Sequence, residues 1–256
     1  MSAPQKAPSV RLDRLLANLG YGSRREVHDL VRRGGVVLDG DAVRDAGARI
    51  RLTGDLPDRM TVRGEPLDPP APLVLMMNKP AGLVCSHREP GRSIYELLPP
   101  RWRARDPALS SIGRLDVDTT GLLLLTDDGD FLHRVISPRS HAPKRYIAQL
   151  NLSLSGTEAE IFARGGLMLE GEERPLAPAR LEALDPTTAR LTLTEGRYHQ
   201  VKRMFAAVGN HVVGLHRDRI GALDLPDDLP PGAWRRLTPE DCAAVLTQGG
   251  PAESMA

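Results

Sequence analysis

Cysteine, lysine and long apolar runs are scarce in this chain of 256 residues. Two cysteines, Cys85 and Cys242, cannot build a disulfide framework and form no C-x-x-C motif, so we expect a reducing, cytoplasmic compartment. The longest leucine run, residues 122–125, is far shorter than the roughly 20 apolar residues that cross a bilayer. The first ten residues contain no apolar segment, so no signal peptide is expected either.

Cofactor motifs and a strong net charge are also lacking. The sequence has no G-x-G-x-x-G and no P-loop, and we therefore expect no cofactor. A formal net charge of +1 gives no overall field that would indicate a nucleic-acid binder, although charge can be local. Lysine supplies only four of the 34 basic residues, and three of those four fall in segments discussed below. The location of these lysines is either due to chance or shows that those positions need a compact ammonium group.

Residues 10–65 are predicted to form a small N-terminal module of two helices and a small sheet. Leucines at helical spacing predict a first helix that ends at Gly20, and Ser23 followed by Glu26 is typical of a capping box that starts a second. Short strands are expected at 36–38 and 60–62.

The rest of the chain predicts a larger α+β domain. Four prolines in residues 66–72 indicate a linker, and residues 73–247 contain alternating strand and helix patterns. We expect strands near the following positions: 73–77, 111–115, 122–126, 146–150, 191–194 and 211–215. The tails 1–9 and 248–256 are predicted to be disordered.

Arginines are concentrated in the two predicted N-terminal helices. Arg25 and Arg32 lie seven residues apart and share one helix face, which favours phosphate contact. Pairs such as Arg25 and Asp29 are equally compatible with a solvated surface.

The string RLDRLLANLGYGSRREVHDLVRRGGVVLDG resembles the alpha-L RNA-binding module of ribosomal and RNA-modifying proteins. The resemblance implies binding to structured RNA. We therefore predict that Arg11, Arg24 and Arg25 contact RNA.

The stretch 113–130, GRLDVDTTGLLLLTDDGD, contains the best candidate for a catalytic group. Asp116 lies in a polar turn between two apolar segments, where a rigid sheet can present a reactive side chain. If residues 111–116 are extended, Arg114 and Asp116 point to the same side, and the cation would keep the carboxylate ionised for nucleophilic attack. Asp and Thr are also common turn formers, so a purely structural turn stays open.

A second charged stretch, EGRYHQVKRMFAAVGNHVVGLHRDRIG at 195–221, predicts a helix with a buried apolar face. Lys202 lies at the edge of that face, from which it could reach a carboxylate, whereas Arg203 would face solvent or phosphate. A surface lysine is the other interpretation of Lys202.

Two other kinds of site are disfavoured by spacing. His199, His211 and His216 fall on different predicted elements without a cysteine pair or an H-x-x-x-H motif, so no metal site is expected. A glycosidase that uses Asp116 and Asp118 is also unfavourable, because carboxylates two residues apart rarely flank a bond from opposite faces.

Four segments together resemble a known family. The strings are, in order, NKPAGLVCS, GRLDVDTTGLLLLTDDGD, the Lys144-Arg145-Tyr146 step and EGRYHQVKRMFAAVGNHVVGLHR. They are similar to the motifs of the bacterial rRNA pseudouridine synthases of the RsuA class. This resemblance implies an α+β fold whose catalytic domain has a mixed, largely antiparallel central sheet with flanking helices.

The resemblance also implies site residues. Asp116 matches the family's catalytic aspartate, Tyr146 the tyrosine that packs on the target uracil, and Lys202 the basic partner of the aspartate. Arg114 matches an arginine that contacts RNA as the base leaves its stack. Lys79, which lies in the NKPAG segment, and Arg203 are predicted to bind RNA as well.

The implied activity is isomerisation of a uridine in 16S rRNA, either free or in a small-subunit assembly intermediate. The reaction needs no cofactor, and we expect a monomer with no membrane contact. Two alternatives stay open: a sister enzyme acting on 23S rRNA, and a non-catalytic rRNA-binding assembly factor.

Overall fold

A computed structural model describes residues 7–137 and 142–247. The chain divides into two compact units. One contains the chain up to Leu73 together with Leu98–Ser110, and the other contains Val74–Leu97 and the chain from Ser111 onward. Residues 1–6 and 248–256 of the predicted tails lie outside the described residues.

The described residues form seven α-helices and fifteen strands. The helices are α1 Leu12–Asn18, α2 Arg24–Arg32, α3 Leu56–Arg59, α4 Gly129–Ile136, α5 Glu158–Arg164, α6 Gln200–Ala207 and α7 Pro239–Val245. The strands are β1 Ser9–Arg11, β2 Val36–Leu38, β3 Asp41–Ala42, β4 Arg49–Arg51, β5 Met60–Val62, β6 Glu65–Pro66, β7 Val74–Lys79, β8 Ser110–Ile112, β9 Thr120–Thr126, β10 Lys144–Leu150, β11 Arg180–Asp185, β12 Thr188–Leu193, β13 Val212–Ile220, β14 Leu223–Asp224 and β15 Trp234–Arg236. No helix in the described ranges is long and apolar enough to cross a bilayer.

The first unit has the helices and small sheets that the leucine spacing and turn residues predict. Its core contains the apolar faces of α1 and α2. Helix α2 starts at the predicted capping box, in which Ser23 Oγ accepts the Glu26 N–H and Glu26 Oε2 accepts the Ser23 N–H. The strands form one pair, β1 with β4, and one four-stranded sheet in the order β3-β2-β5-β6.

A turn after the first helix depends on glycine. Gly20 has φ +84°, and a Cβ there would lie 2.4 Å from the carbonyl oxygen of Arg101. The proline-rich segment packs nearby, with Leu67 in the core and Asp68 accepting two hydrogen bonds from the Arg101 guanidinium. The sequence patterns did not predict that Leu98–Ser110 belongs to the first unit.

The second unit is built on one sheet. Its main path runs β11-β12-β10-β13-β9-β7-β15, while β14 pairs with β13 and β8 with β9. The β9–β13 pair is parallel, and the other pairs along the main path and the β13–β14 pair are antiparallel. The predicted mixed, largely antiparallel sheet is therefore confirmed.

Strand β9 lies between β13 and β7 inside this sheet and fixes the position of the loop before it. All four leucines at 122–125 are fully buried, as expected for a strand covered on both faces. Gly121 at its start has φ +103°, and a Cβ there would lie 2.2 Å from the Arg217 carbonyl oxygen. Glycine therefore lets β13 approach β9 closely at this point.

Candidate active site

Asp116 lies in the loop between β8 and β9, and Lys79 holds that loop. The Lys79 ammonium donates to the carbonyl oxygens of Asp116 at 3.0 Å, Val117 at 3.2 Å, Thr119 at 2.9 Å and Pro80 at 3.1 Å. Lys79 is 0% exposed, and burial lowers its pKa. The predicted RNA contact of Lys79 is therefore wrong, because its ammonium is enclosed by backbone carbonyls.

Two side chains near the start of α6 contact the Asp116 carboxylate. Lys202 Nζ lies 3.5 Å from Asp116 Oδ2, and His199 Nε2 lies 3.3 Å from Asp116 Oδ1. The Asp116 side chain is 27% exposed. The inward reach that the sequence predicts for Lys202 is thus present.

Lys202 has a second, closer carboxylate partner. Its ammonium donates to Asp118 Oδ1 at 2.6 Å and to Oδ2 at 2.7 Å, and these bonds lower the pKa of Asp118. Asp116 and Asp118 therefore share one ammonium group.

Arg114 does not contact Asp116 as the extended-strand prediction requires. Strand β8 ends at Ile112, and Gly113 has φ +70°, so the alternation of side chains stops before Arg114. The Arg114 guanidinium instead pairs with Glu89 at 2.5 Å and stays largely exposed. Lys202 supplies the positive charge beside Asp116 that the sequence assigned to Arg114.

Tyr146 and Arg217 face each other on β10 and β13 beside this loop. Arg217 Nη1 donates to the Tyr146 hydroxyl at 3.4 Å, and its Nε donates to the Leu122 carbonyl oxygen at 2.8 Å. Asp116, Tyr146, His199 and Arg217 all line one cavity of about 780 Å³. The structure therefore brings the predicted Asp116 and Tyr146 together in one cavity.

His199 was considered only as a metal ligand, and its contact with Asp116 was missed. The residue has a left-handed backbone, φ +48° and ψ +33°, directly before α6. Its ring stacks on Tyr198, which is 75% exposed, with centroids 3.8 Å apart. The available signal was only its nearness to Lys202, three residues further along the chain, because His199 itself lies outside the helix.

Arg203 holds the backbone around α6. Its guanidinium donates to Glu172 Oε1 at 2.7 Å, to the Glu170 carbonyl oxygen at 2.5 Å and to the Tyr198 carbonyl oxygen at 3.1 Å. Arg203 therefore has protein partners although its side chain is 26% exposed, and its predicted RNA contact stays a prediction. Glu172, 31 residues away along the chain, also accepts from Arg197 at 3.1 Å.

The predicted RNA-binding arginines of the first unit lie on its surface. Arg24 and Arg25 are exposed, and neither forms an ion pair with any described residue, whereas Arg32 pairs with Asp29. Arg11 is also exposed, and its guanidinium donates to both carboxylate oxygens of Asp13.

Comparison with known proteins identifies the family. Residues 73–207 match the family model described as RNA pseudouridylate synthase. The chain belongs to the RNA pseudouridylate synthase family. Residues 10–56 of this synthase match the S4 domain, and they cover the arginine-rich helices α1 and α2.

Similar proteins of this synthase family match along almost the whole chain. The ribosomal small subunit pseudouridine synthase A of Escherichia coli (strain K12) is 45% identical over 241 residues, 93% of this chain and 100% of that protein. The protein of the same name from Yersinia pestis is 46% identical over 239 residues, 92% of this chain and 98% of that protein. A crystal structure of a pseudouridylate synthase shares 39% identity with a TM-score of 0.65, covering 92% of this chain and 99% of that one. The family resemblance stated from the sequence motifs is confirmed.

Proposed function

We propose that this synthase converts one uridine of 16S rRNA into pseudouridine, with Asp116 as the nucleophile. The names of the relatives support the small-subunit substrate. The principal structural support is the Asp116 carboxylate, which lies on a loop held by Lys79, faces a cavity of about 780 Å³ and has two basic side chains within 3.5 Å.

The reaction requires one carboxylate and a pocket for a base. The bond between C1′ of the ribose and N1 of uracil breaks, the base turns, and C5 bonds to C1′. The hydrogen on C5 leaves as a proton and N1 gains a proton, so atoms and electrons balance without an oxidant or reductant. Asp116 attacks either the sugar or the ring, and Lys202 and His199 lie within 3.5 Å of its carboxylate.

The base must leave its stack to reach Asp116, at a cost of a few kcal/mol. Tyr146 offers an aromatic face against which the uracil packs. Arg114, which is exposed and pairs with Glu89, is placed to contact the RNA as the base leaves.

We propose an RNA-binding module at 10–65, a linker at 66–72 and a catalytic domain at 73–247. Arg11, Arg24 and Arg25 contact phosphates, and the protein acts as a cytoplasmic monomer on 16S rRNA or a small-subunit assembly intermediate.

Pseudouridine mapping in a strain that lacks this protein tests the proposal. We expect one modified position to disappear from 16S rRNA, to return with the wild-type gene, and not to return with Asp116→Asn. Loss of a 23S position instead would favour the sister activity, and an unchanged map would favour a non-catalytic assembly factor.

A further inference from the structure

Two basic side chains on the wall of the cavity have no acidic partner among the described residues. Lys144 on β10 lies two residues before Tyr146, and the regular pairing of β10 with β12 places both on one face of the sheet. Arg217 is 4% exposed, and its Nη2 is buried without a hydrogen-bond acceptor in the described part of the chain. Both residues line the cavity that contains Asp116.

The acidic side chains of the same cavity are already paired with other cations. Glu89 binds Arg114, Glu195 binds Arg197, and Asp116 contacts Lys202 and His199. Within residues 7–137 and 142–247, the Lys144 ammonium donates no hydrogen bond and forms no ion pair.

The pKa of Lys144 also reflects a cation without an acidic partner. Burial, and then the positive charge of Arg217, lower the pKa of Lys144. Arg217 Nη2 is a buried donor without an acceptor in the described part of the chain, so an anionic oxygen bound beside it would relieve an existing energetic cost.

We propose that Lys144 and Arg217 form an oxyanion site that stabilises negative charge on the uracil oxygens during the reaction. This inference rests on the proposed function and names the part of the substrate that these cations contact.

The reaction places negative charge on the uracil whether Asp116 attacks the sugar or the ring. If C1′–N1 breaks first, the bonding pair stays on the base and the charge is shared by N1, O2 and O4. If Asp116 adds to C6 first, the ring electrons move onto C5 and O4. On either route, electrons from C5 form the new C1′–C5 bond. The Asp116 carboxylate is released again, from C1′ as C5 displaces it or from C6 as the C5=C6 double bond re-forms, while C5 loses one proton and N1 gains one.

The position of the two cations favours the base over a phosphate. Arg217 contacts the hydroxyl of Tyr146, the residue proposed to pack on uracil, and is nearly enclosed by protein. A planar ring on Tyr146 can present a single oxygen to these donors, whereas a hydrated phosphodiester would have to lose its water at a buried site.

Lys144→Gln separates charge stabilisation from binding and from folding. In single-turnover assays on a 16S rRNA fragment, we expect the rate at saturating RNA to fall about 100-fold or more, with little change in the half-saturating RNA concentration. Lys144→Arg, which keeps the charge, should restore most of that rate. Arg180→Gln, an exposed arginine on the edge strand β11, is the matched control and should equal wild type.

Thermal unfolding supplies a readout that a structural role would change. We expect Lys144→Gln to be at least as stable as wild type, because it loses no hydrogen bond and removes the repulsion from Arg217. A wild-type rate for Lys144→Gln would overturn the inference. A loss of rate that saturating RNA corrects would also overturn it, because that result indicates a phosphate contact. A loss of rate explained by lower thermal stability would overturn it as well. Inactive wild-type protein on 16S rRNA would instead reject the proposed function.

Discussion

At the scale of single residues, one ammonium group serves two carboxylates in this site. Lys202 Nζ lies within 2.7 Å of both Asp118 oxygens and 3.5 Å from Asp116. Asp118 is largely exposed, and its hydrogen bonds with Lys202 lower its pKa. Asp118 therefore draws part of the positive charge away from Asp116, and the two positions should respond differently to substitution.

Asp118→Asn should keep activity within about tenfold of wild type, because the charge of Lys202 is then available to Asp116 alone. Lys202→Met should lower the activity about 100-fold or more, because Asp116 loses its nearest ammonium group. Initial rates of pseudouridine formation at saturating RNA measure both. A larger loss from Asp118→Asn than from Lys202→Met would show that Asp118 is the more important carboxylate partner.

At the scale of strands and helices, the site depends on the close approach of β9 and β13. Gly121 pairs with Arg217 in the parallel register, and the backbone there has no room for a Cβ. This contact holds the loop of Asp116 next to the strand that carries Arg217. Local sequence patterns do not identify β13 as the neighbour of Gly121, because a glycine within a leucine-rich strand indicates only a bulge or a close contact of some kind.

Gly121→Ala should destabilise the protein by more than about 2 kcal/mol, because a Cβ meets backbone atoms and φ is positive. Gly129→Ala, at the first residue of α4 where a Cβ meets nothing within 4 Å, should be neutral or slightly stabilising. Thermal unfolding compares the two variants. Equal melting temperatures would show that β13 can move without cost.

Helix α1 contains a buried carboxylate that makes stability depend on pH. Asp13 accepts from the Arg11 guanidinium and the Arg14 N–H, and its carboxylate lies 3.2 Å from His28 Nε2. The hydrogen bonds from Arg11, above all, hold the pKa of Asp13 well below its ordinary value of 3.8. Because the folded-state pKa is lowered, the stabilisation is complete above the ordinary pKa and is lost as the pH falls below it.

Asp13→Asn should lower the free energy of unfolding by about 1–3 kcal/mol at neutral pH. The difference from wild type should shrink as the pH falls below 3.8, where the wild-type carboxylate begins to protonate on unfolding. Asp29→Asn, which removes an exposed pair with Arg32, should change stability little at any pH. A difference for Asp13→Asn that is independent of pH would contradict the account.

At the scale of the whole molecule, periodicity and turn residues predicted three of the seven helices and eight of the fifteen strands in the described part of the chain. The capping box at Ser23, the glycine stops and the buried leucines are local signals, and the structure has the corresponding helices and strands. The family motifs likewise pointed to Asp116 and Tyr146, which line one cavity.

Charge partners distant in sequence could not be predicted. Lys79 is buried although lysine is usually exposed, since its acceptors are backbone carbonyls that only the folded loop brings together. Arg203 and Arg114 bind glutamates far along the chain, Glu172 and Glu89, and no local pattern identifies such a partner.

The proposed RNA contacts of the N-terminal unit concern how the protein binds its substrate as a whole. Replacing Arg24 and Arg25 together by Gln should weaken RNA binding and make the slope of log affinity against log salt shallower by about one to two, because fewer counterions are released. Arg32→Gln is the control within the same helix, since Arg32 already pairs with Asp29. An unchanged slope in the double variant would show that these arginines form only a solvated surface.

The most direct test of the central claim measures the chemistry of Asp116 itself. Unmodified 16S rRNA labelled with tritium at C5 of uridine releases that tritium when C5 becomes bonded to ribose. Wild-type protein should release one equivalent per RNA, and Asp116→Asn, with an unchanged melting temperature, should release none above background. Release by Asp116→Asn at the wild-type rate would contradict the assignment of Asp116 as the nucleophile.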